Sequence, residues 1–287
     1  MSNEAQRQSA ELTDSAATAS LQDLVKSENL EDLGVQKAGS KILFRAMFDT
    51  EVLFAAGDLA AAWLTTEFFG IFINTAAALL AIGGRIYETV TGAKPLGLGF
   101  YAMAGVSALT TVSIVVNGIQ IYGLALFDFT SHGSQQLLFG AAAFGTWTLA
   151  NLVAGFRRSH ASIKPKTVLG NHQIWFCLGS ILATHARSLP GLLFLIGLIK
   201  AVLRQSNDSG QEIKTWSQLL NRHLTPARLR GAAYAISTGM AAFGDPSYAL
   251  PYGLWMVGNF AFDNAGLNRT IGRDLATVFR RKSGGND

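Results

Sequence analysis

The sequence predicts an all-α protein: a polytopic integral membrane helix bundle of about eight transmembrane helices in four hairpins. Three observations lead there. Long apolar runs interrupt the charge, basic residues alternate along the chain, and short motifs recur between its two halves. Of 287 residues, 49% are hydrophobic and 15% are charged, where a soluble domain carries about 25%. Uncharged runs of about 20 residues are long enough to cross a hydrocarbon core about 30 Å thick.

The apolar runs lie near 46–66, 68–87, 98–122, 136–156, 171–187, 190–204, 229–245 and 250–267. Only Thr65, Thr66 and Glu67 separate the first two, so a seven-helix reading merges them. Pro190 and Pro251 stand at the starts of the sixth and eighth runs, and proline suits a first helical turn. The 30 glycines fit helices that pack closely in lipid. This divides the chain into an N-terminal tail (1–43), a bundle (44–267) and a basic C-terminal tail (268–287).

Charge sets the orientation. With both termini inside, the inner segments are the N-tail, 88–97, 157–170, 205–228 and the C-tail. Counting the inner helix ends with them, they hold 22 of the 23 lysines and arginines, leaving Arg187 outside. Such alternation follows the positive-inside rule, and a wrong helix count would scramble it. Residues 1–40 carry seven acids and three bases and no apolar core before a cleavage site. They predict neither a signal peptide nor a basic presequence. The expected place is a bacterial cell inner membrane, with both termini cytoplasmic. The single cysteine, Cys177, excludes an intrachain disulfide.

The fourth run reads "GTWTLAN" (145–151) and the eighth "GLWMVGN" (253–259), both G-x-W-x-x-[AG]-N. The first holds "FAAGDLAA" (54–61) and the fifth "FCLGSILA" (176–183), both F-x-x-G-[DS]. The third and seventh offer "YAMAG" and "YAISTG". Matched runs point the same way, so the prediction is two parallel repeats of four helices. The competing explanation is convergent use of small residues at helix contacts.

Polar residues inside the spans are the candidate site. Asp58 falls near the middle of the first span with no basic partner evident in sequence. A mid-membrane charge costs about 2.5–3.5 kcal/mol on insertion scales, so Asp58 is expected to face other helices. It is the candidate proton or cation site. Asn151 and Asn259 are candidate neutral contacts from matched spans, and Asp263 follows Asn259 by one turn. The alternative is that Asp58 and the amides are interhelical glue, about 0.6 kcal/mol per hydrogen bond. Glu51 and Asp49 are read as lying near the inner boundary. On the outer side Glu67, Asp128 and Asp245 face Arg187 as a weakly acidic mouth or as ordinary loop residues.

Three segments outside the spans read as amphipathic helices: 20–34, 212–224 and 270–282. The second carries Ile213, Trp216, Leu220 and Leu224 on one side. The last two are expected to lie on the inner leaflet against anionic lipid. Nucleic acid does not explain the basic pI near 9.3, because the bases follow membrane topology. No Walker A loop appears. "GLGFYA" (97–102) formally fits a dinucleotide turn, but it opens an apolar span and follows no strand. The five histidines (His132, His160, His172, His185 and His223) fall at no metal-ligand spacing with Cys177 or the acids. No cofactor and no enzyme are indicated. The expected function is a small-solute or ion transporter with proton or cation coupling. The alternative is a non-transporting scaffold that assembles membrane-protein partners.

Overall fold

The structure is a computed structural model, and it describes residues 39–44, 46–65, 68–159, 170–184, 188–203, 215–262 and 278. The chain divides into two units, Met1–Arg45 and Ala46–Asp287. Within the first, residues 39–44 are helical. The rest concerns the second unit.

Each predicted apolar run holds a helix. These are α1 (Thr50–Thr65), α2 (Phe68–Thr91), α3 (Leu98–Tyr122), α4 (His132–Ser159), α5 (His172–Thr184), α6 (Leu189–Leu203), α8 (Pro226–Phe243) and α9 (Ala249–Phe262). A short α7 (Trp216–His223) precedes α8, and no strand occurs among the described residues. Among the described residues, three helices are long and apolar enough to cross a membrane, namely Phe69–Thr91, Leu98–Phe127 and His132–Ser159. The 24 residues of α2 rise about 36 Å, more than a core of about 30 Å requires. Such helices are those of an integral membrane protein. Helices α1, α5, α6 and α9 each stop where the described residues stop.

Sequential helices pack side by side, α1 on α2 through to α5 on α6, then α6 on α8 and α8 on α9. Helix α9 packs back on α1, which closes the ring. The interior is filled. Phe54, Phe100, Met103 and Phe176 are buried there, with Trp147, Trp255 and Phe262 packed against them. Phe54 of α1 meets Phe176 of α5 at 6.0 Å between ring centroids, and Phe262 lies 5.8 Å from Phe100. Large apolar side chains also cover the outside, including Phe69, Phe72, Leu79 and Ile121. A soluble helix would put polar groups on that face; here hydrocarbon is the matching solvent.

Glycine allows the close approaches. Gly97 has φ +66°, and a Cβ there would stand 2.8 Å from the Gly155 carbonyl of α4. One at Gly99 would meet Glu51 and Ala81. The glycines of "GLGFYA" therefore serve helix contact. Proline opens helices as expected: Pro190 is the second residue of α6 and Pro251 the third of α9. The start of α8 lies earlier than the apolar run suggested. Thr225 caps it by accepting from Arg228 N, and Pro226 occupies the first turn.

Helix α7 lies within the expected amphipathic segment 212–224. Its start is fixed by a capping box between Thr215 and Gln218. The buried side chain is Leu219, which packs with Val278. Trp216, Leu220 and Leu224 of the expected apolar stripe are exposed. The segment 20–34, and 270–282 apart from Val278, lie outside the described residues.

Candidate functional site

The starts of α1, α3, α5 and α8 and the ends of α2, α4 and α6 come together at one end of the bundle, where two polar clusters form. The first is ionic. Asp49, just before α1, accepts from Arg85 Nη2 of α2 at 2.6 Å and from Arg158 Nη2 of α4 at 3.1 Å. Glu51 is only 1% exposed. Its Oε2 accepts from Gly99 N at 3.0 Å, and Arg158 Nε approaches its Oε1 at 2.6 Å. That second contact is an ion pair without hydrogen-bond alignment, since Oε1 and Nε both lack a hydrogen-bond partner. Glu88 pairs with Arg85 and accepts from Leu96 N through Oε1. Buried charges are tolerated when paired in this way.

The second cluster has no carboxylate among the described residues. Arg157 Nη1 lies 2.7 Å from His172 Nδ1, and His172 Nε2 lies 3.1 Å from Gln173 Nε2. Gln173 Oε1 accepts from Arg230 Nη1. Arg230 Nε donates to Asn259 Oδ1 at 2.8 Å, and Asn259 Nδ2 donates to the Trp255 carbonyl at 2.8 Å. Arg230 is 2% exposed, stands 5.1 Å from the Phe176 ring centroid, and touches Cys177 Sγ at 3.7 Å. Its Nη2 is buried without a hydrogen-bond partner.

The two clusters grow from matching stretches. Asp49-x-Glu51-x-x-Phe54-x-x-Gly57-Asp58 parallels Asn171-x-Gln173-x-x-Phe176-x-x-Gly179-Ser180. Glu51 N donates to Asp49 Oδ1 at 3.0 Å, and Gln173 N donates to Asn171 Oδ1 at 3.1 Å. A Cβ on Gly57 would stand 2.5 Å from Trp255 Cδ1, and one on Gly179 2.6 Å from Trp147 Cδ1. Asn151 Nδ2 donates to the Trp147 carbonyl at 3.0 Å, as Asn259 does to that of Trp255. Where α1 carries Asp, Glu and Asp, α5 carries Asn, Gln and Ser.

The predicted site residues can now be placed. Asp58 is partly buried, and its Oδ1 accepts from Trp255 Nε1 at 3.0 Å. Tyr252 and Tyr234 surround that indole, with centroids 5.8 and 5.6 Å away. Among the described residues, Asp58 and Asn259 are thus linked only through Trp255, one at its indole N–H and one at its backbone carbonyl. Asn151 is buried in α4, and its Oδ1 has no hydrogen-bond partner. Asp263 lies outside the described residues. Glu67 and Arg187 do too. Asp128 folds onto its own turn, where the Thr130 backbone N–H and hydroxyl hold its carboxyl below the usual range. Asp245 likewise accepts from Ser247.

Sequence reading passed over Arg230. By sequence it is an inner helix-end charge, whereas it is the largest of the fully buried side chains among the described residues. Its position five residues into a helix capped by Thr225-Pro226 was the available signal. Asp49 and Glu51, at the start of α1, tie it to α2, α3 and α4. No protein-family model matches the chain, and neither a curated protein nor a solved structure does.

Proposed function

We propose that the protein is a multi-pass permease of the bacterial inner membrane that moves a small solute or ion, with Asp58 as its proton or cation site. The observation that carries this reading is the setting of Asp58. A carboxyl inside the bundle has a neutral indole N–H as its partner and aromatic rings beside it. An acid with no cationic neighbour can exchange a proton or hold a cation, and aromatic faces attract cations by about 0.5–2 kcal/mol. Asn259, which donates to the carbonyl of the same Trp255, is the candidate neutral contact on that helix, and Asn151 and Asp263 complete the proposed set.

The topology in this proposal has eight spans, both termini cytoplasmic, and two parallel halves, α1–α4 and α5–α9. Support for the halves comes from the paired tryptophan–glycine contacts, the paired asparagine–carbonyl bonds and the meeting of Phe54 with Phe176. Support for the orientation comes from the basic inner segments.

The test is uptake in proteoliposomes under an imposed proton gradient, using a labelled panel of amino acids, sugars and carboxylic acids. Wild-type protein is expected to accumulate at least one, and Asp58→Asn to lose the gradient-driven part. Full coupled uptake by Asp58→Asn removes Asp58 from the mechanism. The scaffold reading keeps one specific observation: α7 exposes Trp216, Leu220 and Leu224 beside the bundle. A stoichiometric membrane-protein partner retained in mild detergent, with no uptake of any solute, favours it.

A further inference from the structure

We infer that the Arg230 cluster is a binding site for a small oxyanion, a carboxylate or phosphate group, entered from the end of the bundle where Arg157 and Gln173 lie. The argument is a count of donors and acceptors. A guanidinium can only donate, so Arg157 at 2.7 Å makes His172 Nδ1 an acceptor. The neutral ring then carries its proton on Nε2. That N–H faces the side-chain amide of Gln173. If the amide nitrogen points to His172, two donors face each other. If the amide is turned, its oxygen accepts from His172 and its NH2 faces Arg230 instead. Either orientation leaves one N–H opposed to another.

Arg230 adds to the excess. Its Nε and Nη1 are taken by two neutral oxygens, and Nη2 is buried with no hydrogen-bond partner. Leaving a buried charged donor unpaired is destabilising, while an oxyanion supplies both the missing acceptors and the opposite charge. The comparison with α1 is a comparison of side chains at matching positions. Where Arg158 finds Glu51, Arg230 finds Gln173 in the matching position. Where Arg85 and Arg158 find Asp49, Asn171 turns its amide to the Ala201 carbonyl at the end of α6. The first cluster is closed by its own carboxylates, and among the described residues the second has none. Access follows from burial: Arg230 is enclosed, while Arg157, Asn171 and Gln173 are partly exposed around it. The inference deepens the permease proposal by naming a substrate class, and it rests on that proposal only for transport.

The test uses the full chain in detergent at constant pH and ionic strength. Thermal stability is titrated with sodium acetate and with sodium phosphate against sodium chloride. A parallel arm reconstitutes the protein in phosphatidylglycerol or phosphatidylcholine. Wild-type protein is expected to show a saturable rise in Tm with at least one oxyanion and none with chloride. Gln173→Glu places a carboxylate in the gap, as at Glu51, and is expected to raise the Tm without ligand. It should weaken oxyanion binding by about tenfold or more, the scale of one charge-assisted contact. Arg230→Met should abolish the response. Where Arg230→Met fails to fold, Gln173→Glu still decides. A response to phosphatidylglycerol alone supports the site and identifies a lipid headgroup as its source; a response to the free ions identifies a soluble one. No saturable response to any probe, or equal affinity in Gln173→Glu, overturns the inference. Oxyanion binding without uptake leaves this site standing and removes the permease. Uptake without oxyanion binding does the reverse.

Discussion

At the residue scale, two glycines carry a prediction that their neighbours make unusually sharp. Gly57 and Gly179 each sit under a tryptophan, and a methyl group at either place would overlap the indole. Trp255 has a second task, because its N–H donates to Asp58. Overfilling a packed contact costs about 1–3 kcal/mol. Gly57→Ala and Gly179→Ala should therefore lower the Tm in detergent, whereas Gly105→Ala and Gly239→Ala, with nothing within 4 Å of the new Cβ, should hold or raise it. Equal effects of all four would mean that the tryptophan contacts are loose. Glu51 gives a second prediction. Breaking a buried ion pair costs about 3–5 kcal/mol, but Arg158 keeps Asp49 and is 22% exposed. Glu51→Gln, which can still accept from Gly99 N, should cost about 2 kcal/mol. In denaturant unfolding, Arg158→Gln should cost less in the Glu51→Gln background than in the wild type, since one of its two ion pairs is already gone.

At the element scale, helix ends separate what the sequence discloses from what it hides. The span 98–122 matches α3 because an apolar run between charged and glycine-rich segments marks both ends of a helix. Helix α8 begins before its apolar run, because Thr225 and Pro226 set the start and Arg228 and Arg230 then fall inside the helix. Hydropathy sees two arginines as the edge of a membrane; the cap shows them already wound into the helix. Thr225→Ala should cost about 1 kcal/mol, read as a lower Tm, whereas Thr225→Ser should keep the cap and the stability. Sequence could find Asp58, since a lone acid in an apolar run is conspicuous. It could not find the partnership of Arg230 with Gln173 and Asn259, which come from three helices and meet through ring closure. The same limit applies to α7: its stripe of Trp216, Leu220 and Leu224 is legible in the sequence, but the packing of Leu219 with Val278 is a tertiary contact that the sequence does not disclose.

At the scale of the whole molecule, the ring makes predictions about how the chain can be cut and which side of a membrane its ends face. The proposed halves touch along two seams, α4 with α5 and α9 with α1, and the aromatic interior draws on both halves through Phe54, Phe100, Phe176 and Phe262. Neither half can cover its own interior face, so each alone leaves Phe54 or Phe176 without the ring that faces it. The only covalent link between the halves is the segment joining α4 to α5. Fragments 1–165 and 166–287, co-expressed with a tag on one, should therefore co-purify, while each expressed alone should be degraded or aggregate. A tagged first fragment that is stable and monomeric by itself would mean that the interior is not shared. The same complex tests orientation in a Cys177→Ser background. Single cysteines at Lys94 and at Ser283 should react with an impermeant maleimide only after cells are opened, and cysteines at Thr130 and Ser247 should react in intact cells. Under the eight-span proposal the outer positions sit in turns that Asp128 and Asp245 hold at the opposite end from Arg85 and Arg158. Labelling of Lys94→Cys and Thr130→Cys from the same side would break the α3 crossing, and with it the alternation on which the two halves are matched.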